Sequence, residues 1–307
     1  METFTHSEKL MGNMFTFSMV TASEAAFKEL VAAAVAEVKR IEKILTTYSE
    51  TSETAQINAQ AGIAAVCVSD ETFDLIQRSL FLSEITQGAF DITYGGIDKS
   101  LWNFDRTMTS LPSPEKALQS VHLVNYKNVI LNESEKTVFL KEKGMRLGFG
   151  GIGKGFAAEK VKLVLQKAGV TDGIVNASGD LCAWGTQPNG NPWTVGIAHP
   201  DLRDAPFSYL SISNRAIATS GTYEKFITIN GKRYSHTINP KTGLPVQGIK
   251  SVTIIAPNAE LADALATPVS VMGIKSGLYL IEQIPEVHAI VIDDQNNLFK
   301  TSQIQLK

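Results

Sequence analysis

Cysteine is nearly absent from this chain, with Cys67 and Cys182 the only two. Each sits in an apolar, strand-like setting, so both are expected as small buried hydrophobes rather than as a disulfide or a metal site. Long hydrophobic runs are also missing, and none reaches the roughly 18 residues a membrane-crossing helix needs. Charge is scarce too: Asp, Glu, Lys and Arg make up 19% of the chain, against the roughly 25% usual for folded domains. With a formal net charge of −3 and no basic stripe, nothing offers an electrostatic footprint for nucleic acid. The opening residues lack the basic-then-apolar order of a secretory signal, so with Met1 as the native start the expected location is the cytoplasm. Internal repeats, low-complexity tracts and linkers are absent as well, and residues 1–307 are expected to form one domain.

What is present describes an ordinary folded protein, with 44% apolar residues. Thr21-Ala22-Ser23-Glu24 has capping-box spacing. Phe27, Leu30, Val31, Ala34, Val38, Ile41 and Leu45 then recur at helical period. A second helix is expected over 71–86 with Asp70 as its cap, and a third from about 152–154 to Gly169. Later segments are short and β-prone: 174–176, 193–197, 210–212, 251–256, and two strands around 293–296. Phe226–Ile229 and Lys232–Ser235 flank Asn230-Gly231, the signature of a type I′ hairpin. Helices early and strands late favour an α+β architecture with mixed or antiparallel sheets over a doubly wound parallel sheet.

Three segments carry candidate chemistry. The first is the glycine run Gly148-Phe149-Gly150-Gly151-Ile152-Gly153-Lys154-Gly155, which leads into a helix. Bare amides at a helix start suit a phosphate, although tight strand–helix packing explains the same glycines. Gly155 stands where a P-loop needs a Ser or Thr hydroxyl for magnesium, which disfavours a nucleoside-triphosphate hydrolase. The second segment holds Asp263 and Thr267, four apart and so on one face of a helix begun near Asn258; this is a hard-oxygen pair suited to Mg²⁺ or simply a solvated face. Pro268 follows and is expected to disturb the helix at Thr267, turning carbonyls of 264–266 elsewhere. The third segment holds His236 at a strand end, a candidate base for a hydroxyl nucleophile or a half-buried bystander. Tyr48, Phe90 and Trp102 are aromatic enough to stack on a flat heterocycle, or to fill a core.

Taken in order, these segments resemble the ApbE family of FAD:protein FMN transferases. The matching stretches are Met11-Gly12-Asn13, Leu45-Thr46-Thr47-Tyr48-Ser49-Glu50, Gly88-Ala89-Phe90-Asp91-Ile92-Thr93 and Gly150 through Ala157. Ser178-Gly179-Asp180, Ala218-Thr219-Ser220-Gly221-Thr222-Tyr223, Ser235 through Pro240 with Thr242-Gly243, and Ala262-Asp263 to Thr267 continue the series. The resemblance implies an ApbE-like α+β fold with two α/β lobes around one ligand cleft. It also implies an enzyme that takes FAD as substrate, uses Mg²⁺, passes FMN to a Ser or Thr hydroxyl of an acceptor flavoprotein and releases AMP. Carried over position by position, it puts flavin contacts at Met11, Tyr48, Ala89, Phe90, Asp91, Lys154 and Ile238. Metal ligands would be the Gly151 and Ala266 carbonyls with the Asp263 and Thr267 side chains, and His236 would be the base. Three positions depart from the family pattern: Gly148 and Asn239 each stand where Asp is common, and Ser178 replaces a glycine. The family often works outside the inner membrane, at odds with a cytoplasmic location. A FAD pyrophosphatase yielding FMN and AMP, and a flavin-binding protein without chemistry, are the alternatives.

Overall fold

The computed structural model describes residues 1–102, 108–198, 206–221, 226–302 and 304. Thr222 and Tyr223 of one matching stretch lie outside them.

The frame is an eight-stranded sheet, antiparallel at every pairing. Across the sheet the strands are Glu2–Leu10, Asn13–Thr21, Gly173–Ala177, Asp180–Trp184, Arg215–Gly221, Ile249–Ala256, His288–Asp293 and Leu298–Lys300. Side chains alternate between two faces. Phe15, Phe17, Met19, Cys182, Trp184, Ala216, Ala218, Val252 and Ile254 face the main core. Val20, Leu181, Ala183, Ile217, Ile255 and Ile290 face a second cluster. The ribbon Trp193–Ala198 and Pro206–Ile212 covers that second face, while helices Glu24–Leu45, Gly153–Lys167 and Ala259–Met272 cover the first. The architecture is α+β, with the antiparallel sheet favoured by the sequence pattern. No helix among the described residues is long and apolar enough to cross a membrane.

Several local expectations need correction. The N-terminal hairpin Glu2–Leu10 and Asn13–Thr21 carries no strong strand signal, because its edge strand is largely solvated and polar. Burial of Phe15, Phe17 and Met19, at about 1.5–3 kcal/mol each, holds in the sheet a hairpin that would be marginal alone. Thr21 ends a strand, and Ser23 caps the long helix by accepting from the Ala26 amide at 3.3 Å. In the same way Ser69, not Asp70, caps Asp70–Ile85. Helix Ala259–Met272 runs straight through Pro268, so Thr267 is helical after all. Burial of Ala262, Leu265 and Val269 against the sheet outweighs the missing proline donor. A further helix, Ile274–Glu282, follows it without warning from the sequence. Cys182 is buried, but Cys67 is exposed at the end of a two-residue strand, its Sγ 3.7 Å from the Glu135 carbonyl oxygen.

Candidate active site

Turns built from special backbone conformations bring the site together. Met11 and Gly12 both have positive φ, at 49° and 72°, the geometry of a two-residue type I′ turn. That turn carries Met11 from the sheet edge into a cleft of about 960 Å³, within the usual range for ligand sites. Tyr48, Ala89, Phe90, Asp91, Gly151, Lys154, His236, Ile238 and Thr267 line the same cleft. Glu42, Tyr94 and Arg146, which the motifs did not suggest, line it too. Trp102 instead packs in a small cluster with Ile97, Ala117, Val121 and Ile238, behind the wall.

The wall is largely finished before any ligand arrives. Ala89, Phe90 and Ile238 are buried. Asp91 is buried and fully committed: Oδ1 accepts from the Thr93 amide at 2.8 Å and its hydroxyl at 2.6 Å, while Oδ2 accepts from the Tyr126 amide at 2.8 Å. Burial raises its pKa, and these three bonds oppose that rise. The Ile238 amide donates to the Tyr94 hydroxyl, tying the His236 segment to the Asp91 segment. His236 and Tyr48 are different: both are exposed, Tyr48 at 97%.

Under the cleft lies a buried polar floor. Ile152, at the N-cap of helix Gly153–Lys167, has no side chain to offer the first amides. Asp263 supplies the cap from the neighbouring helix, accepting from the Gly155 amide at 2.9 Å and from the Lys154 amide. The amides read from sequence as a phosphate cradle are therefore taken in part by a carboxylate. Gly155 is what lets it approach, because a Cβ there would collide with the Ala259 carbonyl and the Asp263 side chain. This packing accounts for the absence of a P-loop hydroxyl at that position. Asn258 caps the second helix by accepting from the Leu261 amide at 2.8 Å. Glu159 of the first helix accepts from the Ala259 amide at 3.1 Å, locking the two helices together.

Asp263 and Ala266 are buried below the cleft surface, whereas Thr267 reaches it. A Cβ added at Gly151 would lie 3.8 Å from Thr267 Oγ1, so the glycine run and this helix meet at the cleft floor. The Ala266 carbonyl accepts from the Ser270 hydroxyl at 3.4 Å. Asp180 completes the floor and was given no role from its sequence alone. It starts a strand after the Ser178-Gly179 turn, at φ 57° and 100°, and its buried carboxylate forms an ion pair with the half-buried Lys154 ammonium. Burial, then repulsion from Asp263, raises its pKa, while Lys154 pulls the other way. Burial likewise raises Asp263, against Lys154 and the two amides.

The donor set fits a hard divalent cation. Two buried carboxylates face one ammonium among the described charged groups acting on them, which leaves negative charge to be matched. A hydroxyl and backbone carbonyls stand beside them, all hard oxygens. Among the described residues no three His, Cys, Asp or Glu side chains group together, so a cation here would need hydroxyl and carbonyl oxygens beside the carboxylates.

An antiparallel sheet backed by helices, with this cleft and floor, defines a ligand-binding α+β protein whose glycine-run helix is capped by a carboxylate from its neighbour. The chain belongs to the ApbE family, whose sequence profile matches residues 11–291. Among curated relatives, the FAD:protein FMN transferase of Treponema pallidum (strain Nichols) is 33% identical over 82% of this chain and 73% of its own length. That of Klebsiella pneumoniae (strain 342) is 29% identical over 99% of this chain and 93% of its own. The crystal structure of the ApbE protein from Thermotoga maritima superposes with a TM-score of 0.87 at 28% identity, covering 98% of this chain and 97% of that one. The apo flavinyl transferase ApbE of Pseudomonas stutzeri gives 0.84 at 27%, covering 98% and 95%.

Proposed function

We propose that this chain is an FAD:protein FMN transferase that moves FMN from FAD to a Ser or Thr hydroxyl of an acceptor flavoprotein and releases AMP. The observation that carries the reading is the meeting, in one cleft, of an apolar wall, an exposed aromatic rim, a strand-end histidine and a buried oxygen-rich floor. Names of relatives across most of the chain support the flavin as substrate.

The wall of Ala89, Phe90 and Ile238 suits the flat flavin, and Tyr48 at the rim is free to close over it. The floor suits the pyrophosphate. Gly151, Asp263, Ala266 and Thr267 would hold Mg²⁺, which when bound supplies positive charge beside the pyrophosphate oxygens. The acceptor oxygen forms a bond to the flavin-side phosphorus, and the bond from that phosphorus to the bridging oxygen breaks. The bridging oxygen leaves with AMP. His236, on the open side of the cleft, takes the proton of the attacking hydroxyl. Arg146 adds positive charge to the cleft lining, which suits the anionic pyrophosphate.

The test is intact mass spectrometry of an acceptor flavoprotein incubated with this protein, FAD and Mg²⁺, with AMP measured in parallel. A gain of one FMN with matching AMP supports the reading. FMN and AMP released without acceptor modification would instead mark a pyrophosphatase, and FAD bound with no AMP would mark a binding protein.

A further inference from the structure

Lys154 is bonded to two carboxylates in different ways. Its backbone amide donates to Asp263, while its side-chain ammonium reaches across to Asp180. The ammonium also acts electrostatically on Asp263, so both carboxylates compete for one cation. A flexible lysine whose own backbone touches Asp263 would reach that carboxylate with little rearrangement. What draws it away is Asp180, buried at 2% exposure and fixed by the Thr219 amide on the adjacent strand. Position 180 is set by the tight Ser178-Gly179 turn and by pairing of Ala177 with Asp180, so the carboxylate is held by the sheet rather than by a mobile loop.

We propose that Asp180 is a positioning residue: it holds the Lys154 ammonium off Asp263 and so keeps that carboxylate open to a divalent cation. Asp263 paired with the ammonium would already be neutralised, and an incoming cation would have to displace the lysine. Asp180 therefore acts through Lys154 and touches neither FAD nor the acceptor. The proposal rests on the reading of Asp263 as a cation ligand.

The experiment titrates Mn²⁺ alone into the full-length protein without FAD, reading free Mn²⁺ by electron paramagnetic resonance. Asp180→Asn is expected to weaken Mn²⁺ binding roughly ten- to a hundredfold, the usual effect of losing a group that orients a ligand. Adding Lys154→Met to that variant should restore binding to near the wild-type value, because no ammonium remains to occupy Asp263. Lys154→Met alone should bind Mn²⁺ at least as well as wild type, and this arm decides the matter if Asp180→Asn does not fold. Unchanged binding in Asp180→Asn, a double variant as weak as the single, or weakened binding in Lys154→Met overturns the proposal. The underlying reading fails separately, and takes the proposal with it, if wild type binds no Mn²⁺ or if Asp263→Asn binds it as tightly as wild type.

Discussion

The floor and the rim of the cleft are built on opposite principles. The floor has Asp180, Asp263 and Gly155 buried and Lys154 half-buried, tied together by bonds between segments more than twenty residues apart. The rim, made of Tyr48 and His236, is exposed, and Tyr48 is bonded locally, its amide donating to Thr46 Oγ1 at 3.2 Å. Burial strengthens electrostatic interactions and removes the cost of rearranging groups during reaction, which is what a shifting phosphate charge requires. Exposure does the reverse and leaves side chains able to adapt to a ligand or an incoming protein hydroxyl. In this protein the fixed polar groups lie deep and the adaptable side chains lie at the surface.

Substitutions on the two sides should therefore separate activity from stability. The largest effect is expected at the rim: His236→Ala should lower the rate of acceptor modification by about 10²–10⁴, the range for a lost general base, with an unchanged melting temperature. A comparable fall in melting temperature and in rate would show that the rim is structural. Next comes the floor, where Gly155→Ala should destabilise the protein by about 1–3 kcal/mol or more in chemical denaturation, because its methyl group meets the backbone of the adjacent helix. A wild-type midpoint for that variant would contradict the close helix approach.

Asp91 stands between the two regions, lining the cleft yet bonded like the floor. In Asp91→Asn one carboxylate oxygen becomes an NH₂ group, which no longer accepts from Thr93 or Tyr126 and leaves a buried amide unpaired. A loss of about 1–3 kcal/mol in thermal unfolding is expected. The smallest effect belongs to Tyr48→Ala. Stability should stay within about 0.5 kcal/mol, while FAD affinity should drop by the about 0.5–1.5 kcal/mol of an aromatic stack, read by equilibrium binding. An unchanged affinity would remove Tyr48 from the flavin site.

The same division governs how much could be read from the chain. Periodic features were legible: the apolar stripe from Phe27 to Leu45 gives the long helix, and Asn230-Gly231, at φ 51° and 75°, gives the hairpin. The candidate residues from Met11 to Thr267 stood out as motifs, and most of them line one cleft. What stayed hidden depends on tertiary context. The solvated edge strand Glu2–Leu10 shows little apolar alternation, and the helix through Pro268 persists only because its apolar face is buried. Asp180 meets Lys154 through strand register and helix placement, which no local pattern encodes. Likewise the competition between Asp263 and a phosphate for the helix amides becomes visible only when two helices pack through Gly155.

The proposed transfer requires the buried floor to be a cation site opening onto the flavin cleft. Its most direct test is a crystal grown with Mn²⁺ and FAD, examined for anomalous scattering. A peak is expected within about 2.5 Å of Asp263 and Thr267 side-chain oxygens and of the Gly151 carbonyl, beside the pyrophosphate. A fully occupied FAD cleft with no peak there, or a peak bound by other residues, would contradict it.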